Sequence, residues 1–205
     1  KSFKVEYLAA NENVDLLIKQ ANEFNPNSIC IFNEKKFLTL KKNVIVKNIF
    51  AGKDGLSKLS SIKNIDVAVN AIDGYNGLES TINIISSGVN LALSNKESIV
   101  QAGHIVMKLA KKHKVKIIPV DSEHSALWQC MEGEKKDNIK RLILTGSGGP
   151  LRTVNKIKFA NITKEVALNH PNWSMGEKIS IDSATMMNKG FEVIEAFWLF
   201  GIDLK

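Results

Sequence analysis

The sequence predicts an α/β protein in which residues 1–120 build a parallel sheet and residues 121–205 form a separate α+β unit. Three observations carry that prediction. Short apolar runs alternate with longer helical patterns from residue 5 to residue 120, the rhythm of βαβ units. Asn, Gly and Pro punctuate the joints. After Val120 the rhythm gives way to a glycine-rich irregular stretch and one closing helix. Taken in order, Val5–Ala10 reads as a strand, and Val14–Phe24 carries Val14, Leu17, Ile18 and Ala21 at helical spacing. The Asn25-Pro26 turn leads into a strand over Ser28–Phe32. Glu34–Leu40 is a short helix, Val44–Val46 a brief strand and Asp54–Leu59 a weak helix. Asp66–Ala71 (DVAVNA) reads as a buried strand, broken from the helix Leu78–Ser86 by Gly74–Gly77. Val89–Leu93 is a strand, Glu97–Lys112 a long helix and Lys116–Val120 the next strand. Beyond it come a helix at Ser125–Met131, a strand at Ile139–Thr145, a loop with Gly146, Gly148, Gly149 and Pro150, and a helix at Met186–Phe200. In that last helix Phe191, Ile194 and Trp198 are the expected packing face.

The chain has 205 residues, enough to bury a core without staples. Its 44% hydrophobic and 24% charged content is ordinary for a globular protein. The formal charge of +7 comes from scattered lysines, which fits solvated faces and a small anionic ligand better than a nucleic-acid stripe. Neither a nucleic-acid nor a membrane partner is expected, since no apolar run is long enough to span a bilayer. Cys30 and Cys130, far apart and outside any CxxC pattern, are expected as buried reduced thiols and not as zinc ligands. The opening strand and the ending just after a helix suggest an interior part of a longer protein.

Three constellations carry chemistry. In open parallel sheets, ligands bind beyond the carboxyl ends of the strands. Asp121 and Glu123 of VDSEH (120–124) fall there, and either an extended segment or a turn would present them. His124 is expected to start a helix or to back the site from behind. Glu192 lies on a helix with Asn188 at i−4 and Lys189 at i−3, one polar face on a helix that otherwise packs. Three carboxylates without cysteine select a hard cation, Mg²⁺ or Mn²⁺. TGSGGP (145–150) lacks the GK[ST] ending of a P-loop, yet offers Ser147 and backbone N–H groups to a phosphate or hydroxyl. SNKES (94–98) opens a helix at the sheet's carboxyl edge and places Lys96 and Glu97 there. HPNWSMG (170–176) sets Trp173 in a Pro/Gly-bounded loop, the composition of a lid that excludes water.

In this order, SNKES, VDSEH, LTGSGGP, HPNWSMG and IDSATMMNKGFE resemble the 1-deoxy-D-xylulose 5-phosphate reductoisomerase family of the non-mevalonate route to isoprenoids. The resemblance is collinear over the whole chain, and it is strongest from 170 to 192. It implies a Rossmann-like NADPH-binding domain over 1–120, lacking its first strand and Gly-rich turn, and a catalytic domain over 121–205. Asp121, Glu123 and Glu192 would hold Mg²⁺ or Mn²⁺, with Co²⁺ a further option. Lys96, Ser122, Glu123, Ser147, His170, Trp173, Ser183, Asn188, Lys189 and Glu192 would contact the sugar phosphate, with Lys96, Glu123, His170 and Lys189 closest to the chemistry. Asn11, Asn13, Asn95, Glu97, Met175 and Gly176 would contact NADPH, and His170, Trp173 and Met175 would belong to the closing loop. The implied reaction isomerises a ketose phosphate to a branched aldehyde that NADPH then reduces, in a bacterial cytoplasmic or plastid-type setting and in a homodimer at full length.

Two departures bear on the cofactor. Glu12 stands where the family has a cation near the adenosine 2′-phosphate, and it is expected to repel that group. The 71–77 segment is bulkier than the family pattern. A reductoisomerase-like homologue with another phosphorylated substrate is therefore the alternative reading. Without the Gly-rich turn, the isolated polypeptide is expected to be inactive.

Overall fold

The computed structural model describes residues 3–170 and 175–201. Strands β1 (Tyr7–Ala10), β2 (Ser28–Ile31) and β3 (Asn48–Ala51) form one parallel sheet in the order β1-β2-β3. Strands β4 (Val67–Asn70), β5 (Asn90–Leu93) and β6 (Ile117–Pro119) form a second, in the order β4-β5-β6. Every pairing is parallel, as the alternation of strands and helices predicts, but the ladder closes into two sheets. The connecting helices are α1 (Val14–Phe24), α2 (Phe37–Asn43), α3 (Gly52–Ser60), α4 (Gly77–Ser86) and α5 (Lys96–His113). The rest of the chain supplies α6 (Ser122–Met131), α7 (Lys164–Leu168), α8 (Glu177–Ala184) and α9 (Met187–Phe200).

Each sheet has its own apolar core. Val14, Leu17 and Ala21 of α1 pack with Leu40 of α2 on Ile29 and Ile31 of β2. Strand β2 is buried along its whole length, as a central parallel strand must be. The second core joins Leu91 and Leu93 of β5 to Ile84 and Ile85 of α4 and to Ile99, Val106 and Ala110 of α5. Helix α9 reaches this core through Trp198. It passes so close to α5 that a methyl on Gly103 would sit inside the indole ring, and α5 bends at Ala102 beside the crossing.

Several expectations change. The strand expected at Val44–Val46 forms at Asn48–Ala51, where β2 supplies hydrogen-bond partners in register. Val44 and Val46 instead pack on the first core from outside the ladder. The DVAVNA strand is buried on one face only: Ala68 packs into the second core, while Val67 and Val69 on the opposite face are exposed. Ile139–Thr145 does not form a strand, since no neighbouring strand pairs with it. Among the described residues after Pro119 the regular structure is helical, including α8, whose sequence carries no helical periodicity. Cys30 is buried, and burial pushes its thiol up to about 11, but Cys130 is exposed. No described helix is long and apolar enough to cross a membrane.

Candidate metal and substrate site

The strands β5 and β6 end side by side, and each hands a charged residue to the same edge. Asn95 caps α5 after β5, accepting the Ser98 N–H at 3.0 Å, and so places Lys96 as the first residue of the helix. After β6, Asp121 stands at the N-cap of α6, with Ser122 and Glu123 in its first turn. The turn gathers the three residues: Ser122 Oγ donates to Glu123 Oε2 at 2.6 Å. A helix N-terminus also favours a carboxylate at Glu123.

Helix α9 completes the cluster. Its fully buried residues are Glu192, Glu195, Ala196 and Phe200; of the expected packing face Trp198 reaches the second core, Phe191 is half-buried and Ile194 is 38% exposed. Asp121, Glu123 and Glu192 each bring a carboxylate oxygen within 4.8 Å of the others. Lys96 Nζ donates to Asp121 Oδ2 at 2.6 Å, to Asn188 Oδ1 at 2.9 Å and to Glu192 Oε1 at 3.2 Å. Lys189 Nζ lies 3.2 Å from Glu123 Oε1 and also reaches Glu192 Oε2 and the Thr145 carbonyl. Asn188 Nδ2 donates to Glu192 Oε1 at 2.6 Å. Two ammonium groups thus neutralise much of the charge of three acids. The oxygen donors themselves suit a hard divalent cation, which would compete with these ammonium groups for the carboxylates.

The charges are fixed by their partners. Burial alone would push Asp121 up, but hydrogen bonds from His124 and Lys96 outweigh it and hold the carboxyl far below its ordinary value. For Glu123 the same contest between burial and the Ser122 and Lys189 hydrogen bonds ends below the ordinary value. Burial opposes the Lys96 ammonium, yet Asp121 and Glu192 raise its pKa. Glu195 is different: burial dominates and pushes it up to about 7.

The glycine-rich loop lies against the same cluster. A methyl on Gly149 would come within 2.5 Å of the Ser183 carbonyl, and Gly149 has φ +66°, so both close approach and backbone favour glycine. A methyl on Gly146 would meet Lys189 Cε at 2.9 Å. Ser147 Oγ is 3.1 Å from His170 Nε2 and accepts the Gly149 N–H at 3.2 Å. Ser147, His170, Ser183 and Lys189 therefore converge beside the acids. Arg152, which the sequence reading did not single out, donates to the Ser147 carbonyl at 2.8 Å and braces this loop.

Two cavities adjoin one another through Ala71, Ile72 and Asp73, which line both. One, of about 260 Å³, is lined by Lys96, Glu97, Gly176, Asp182 and Asn188. The other, of about 750 Å³, opens at the carboxyl ends of β1, β2 and β4 and is lined by Asn11, Phe32 and Tyr75. The expected cofactor residues are thus divided. Asn11, Glu97 and Gly176 face cavities, whereas Asn13 caps α1 through the Leu16 N–H. Asn95 lines the smaller cavity, yet its amide is engaged with Ile72, Gly74, Glu97 and Ser98. Met175 is partly buried beside Gly176. Glu12 is not an isolated negative charge: Asn33 donates to it at 2.8 Å and Lys36 Nζ lies 3.6 Å away, which weakens the expected repulsion. Trp173, and with it the centre of the expected closing loop, lies outside the described residues. The sequence reading missed Glu195, although its i+3 spacing from Glu192, followed by Ala196 and Phe200, traces one buried stripe.

Fold and site together define a parallel-sheet α/β protein with a carboxylate–lysine centre, suited to a hard cation, at the carboxyl edge of its second sheet. Residues 1–103 match the family model described as 1-deoxy-D-xylulose 5-phosphate reductoisomerase, and residues 117–200 match the model of that enzyme's C-terminal domain. The chain belongs to the 1-deoxy-D-xylulose 5-phosphate reductoisomerase family. It is 48% identical over 200 residues to the reductoisomerase of Protochlamydia amoebophila and 48% identical over 203 residues to that of Bacteroides fragilis, in each case covering 98% of this chain and 52% of the relative. The chain thus spans about half the length of the curated relatives it matches. A crystal structure of a DOX-P reductoisomerase in complex with NADPH, fosmidomycin and magnesium superposes with a TM-score of 0.89 at 40% identity, over 98% of this chain and 53% of that one. The Zymomonas mobilis enzyme in complex with NADPH gives the same TM-score and identity, over 98% of this chain and 52% of that one.

Proposed function

We propose that the protein carrying this chain catalyses the NADPH- and divalent-metal-dependent rearrangement and reduction of 1-deoxy-D-xylulose 5-phosphate to 2-C-methyl-D-erythritol 4-phosphate, in the non-mevalonate synthesis of isoprenoids. The observation that carries the reading is the convergence of Asp121, Glu123 and Glu192 within 4.8 Å at the sheet edge, between Lys96 and Lys189. Asp121, Glu123 and Glu192 would hold Mg²⁺ or Mn²⁺, and the adjoining 750 Å³ cavity at the strand ends is where a parallel sheet receives a dinucleotide. When bound, the cation supplies Lewis acidity to vicinal substrate oxygens, and NADPH supplies hydride.

The chain's own residues divide the remaining work. Lys96, held protonated by Asp121 and Glu192, presents a fixed ammonium to substrate oxygen that gains negative charge. Glu123 and Asp121 stay ionised at neutral pH and are ready to ligate without first losing a proton. Lys189, Asn188, Ser183, Ser147 and His170 form the anion-holding side, which suits the phosphate and orients the sugar. The reading also divides the chain near residue 120, with Lys96 crossing from the first part into the site of the second. Full-length homodimers and a bacterial cytoplasmic setting belong to the same proposal.

The test is a continuous assay of NADPH oxidation by the full-length protein. Oxidation is expected to require both the ketose phosphate and Mg²⁺ or Mn²⁺, and to fall by more than about a thousandfold in Asp121→Asn and Glu192→Gln. Robust turnover by either variant contradicts the site assignment. Turnover of other sugar phosphates in preference to this one contradicts the substrate assignment.

A further inference from the structure

Two buried groups beside the acid cluster are not used by the reaction just described. His124 is 0% exposed and Glu195 is 1% exposed. His124 follows Glu123 in the first turn of α6, and Glu195 lies one turn beyond Glu192 on α9. The imidazole spans the gap between these helices. Its Nδ1 is 2.9 Å from Asp121 Oδ1, and its Nε2 is 2.9 Å from the main-chain carbonyl oxygen of Glu192. Each ring nitrogen thus faces an oxygen of a different helix, so the one imidazole ties the Asp121 side chain to the Glu192 backbone.

A second buried group lies against the same ring. Glu195 Oε2 lies 3.3 Å from His124 Nδ1, yet it is the one buried side-chain oxygen among the described residues that lacks a hydrogen bond. Asp121 Oδ1 is the nearer oxygen to Nδ1, and Glu195 Oε2 faces the same edge of the ring. Phe200 stacks on the same ring at 6.2 Å between centroids and 13° between planes. The imidazole is fixed on both nitrogens, beside Nδ1 and on one face.

We propose that His124 and Glu195 are positioning residues that hold Asp121 and Glu192, brought together from β6 and α9, at the spacing one divalent cation requires. The inference rests on the reading of Asp121, Glu123 and Glu192 as metal ligands. Its physical basis is general: carboxylate ligands bind metal well when a second partner orients them, and removing that partner lowers affinity about 10- to 100-fold. Here a single ring orients the side chain of one ligand and the backbone of another. A rival arrangement uses the same atoms, because Asp121, His124 and Glu195 also bring potential ligand atoms within 4.8 Å of one another. In that arrangement Nδ1 would offer a lone pair to a cation of its own instead of a proton to Asp121.

The experiment is a Mn²⁺ titration of the chelator-stripped full-length protein, with free Mn²⁺ read by electron paramagnetic resonance. NADPH binding and the melting temperature are measured on the same samples. The parent is expected to bind one Mn²⁺ per chain at a site lost in Asp121→Asn. His124→Gln and Glu195→Gln are expected to weaken that site about 10- to 100-fold, and to alter the spectrum of bound Mn²⁺, while NADPH binding is kept. Parent affinity in both variants overturns the positioning role alone. Two Mn²⁺ in the parent and one in Glu195→Gln overturns it in favour of a second metal site. If His124→Gln does not fold, the nearly isosteric Glu195→Gln decides by the same outcomes. A parent that binds no Mn²⁺, or an Asp121→Asn variant that binds like the parent, overturns the metal reading and this inference together.

Discussion

Helices α1 and α9 are built on the same pattern but bury opposite chemistry. Helix α1 turns Val14, Leu17 and Ala21 inward, hydrocarbon against the hydrocarbon of β2. Helix α9 turns Glu192 and Glu195 inward beside Ala196 and Phe200, against Lys96 and His124. The first arrangement stabilises the fold by removing apolar area from water. The second strips water from charged groups, and only close ion pairing keeps the cost tolerable. A helix that buries charge in this way serves a site, and the stability it needs has to come from elsewhere in the molecule.

The contrast predicts separable effects. Leu17→Ala should destabilise the protein by about 2–5 kcal/mol, seen as a lower urea midpoint at unchanged slope, and should leave Mn²⁺ affinity at the parent value. Loss of Mn²⁺ binding by that variant would mean that the two regions are one cooperative unit. Gly103→Ala acts where α9 crosses α5 over the second core, because the added methyl must displace Trp198 of α9. It should cost about 1–3 kcal/mol and weaken Mn²⁺ binding as well, since α9 carries Glu192. Thermal melts and Mn²⁺ titrations on one preparation check both outcomes. The smallest effect concerns pH. Asp121 is held well below its ordinary 3.8 in the folded state, so its charge stabilises the native protein above that pH and ceases to as pH falls. In the metal-free protein Asp121→Asn should therefore melt below the parent at pH 7, and the gap should narrow steadily as the pH drops below 3.8.

The same contrast explains what could be read from the residues. Helix α1 was legible to its ends, because Val14, Leu17, Ile18 and Ala21 repeat at helical spacing and apolar contact is what holds it. Most of α9 was legible as a helix, but its orientation only in part. Trp198 does pack on the second core, whereas Ile194 is exposed, because Lys96 and His124, distant in sequence, draw the acids inward. Strand β3 was displaced by four residues for a related reason: an apolar run marks a candidate, and only the partner strand fixes which residues pair. Helix α8 has two isoleucines among polar residues, too few for a periodic signal. The proposed metal carboxylates and the two lysines could be picked out because spacing and residue chemistry agreed at VDSEH, along NKGFE and at SNKES. Glu195 was missed because the stripe it shares with Glu192, Ala196 and Phe200 competes with the more apolar stripe of Phe191, Ile194 and Trp198.

The most direct measurement is anomalous diffraction from crystals of the full-length protein soaked in Mn²⁺. The account predicts one anomalous peak at bonding distance from carboxylate oxygens of Asp121, Glu123 and Glu192, with His124 still bridging Asp121 and the Glu192 carbonyl. A peak between Asp121, His124 and Glu195, or no peak at this edge of the second sheet, would contradict it.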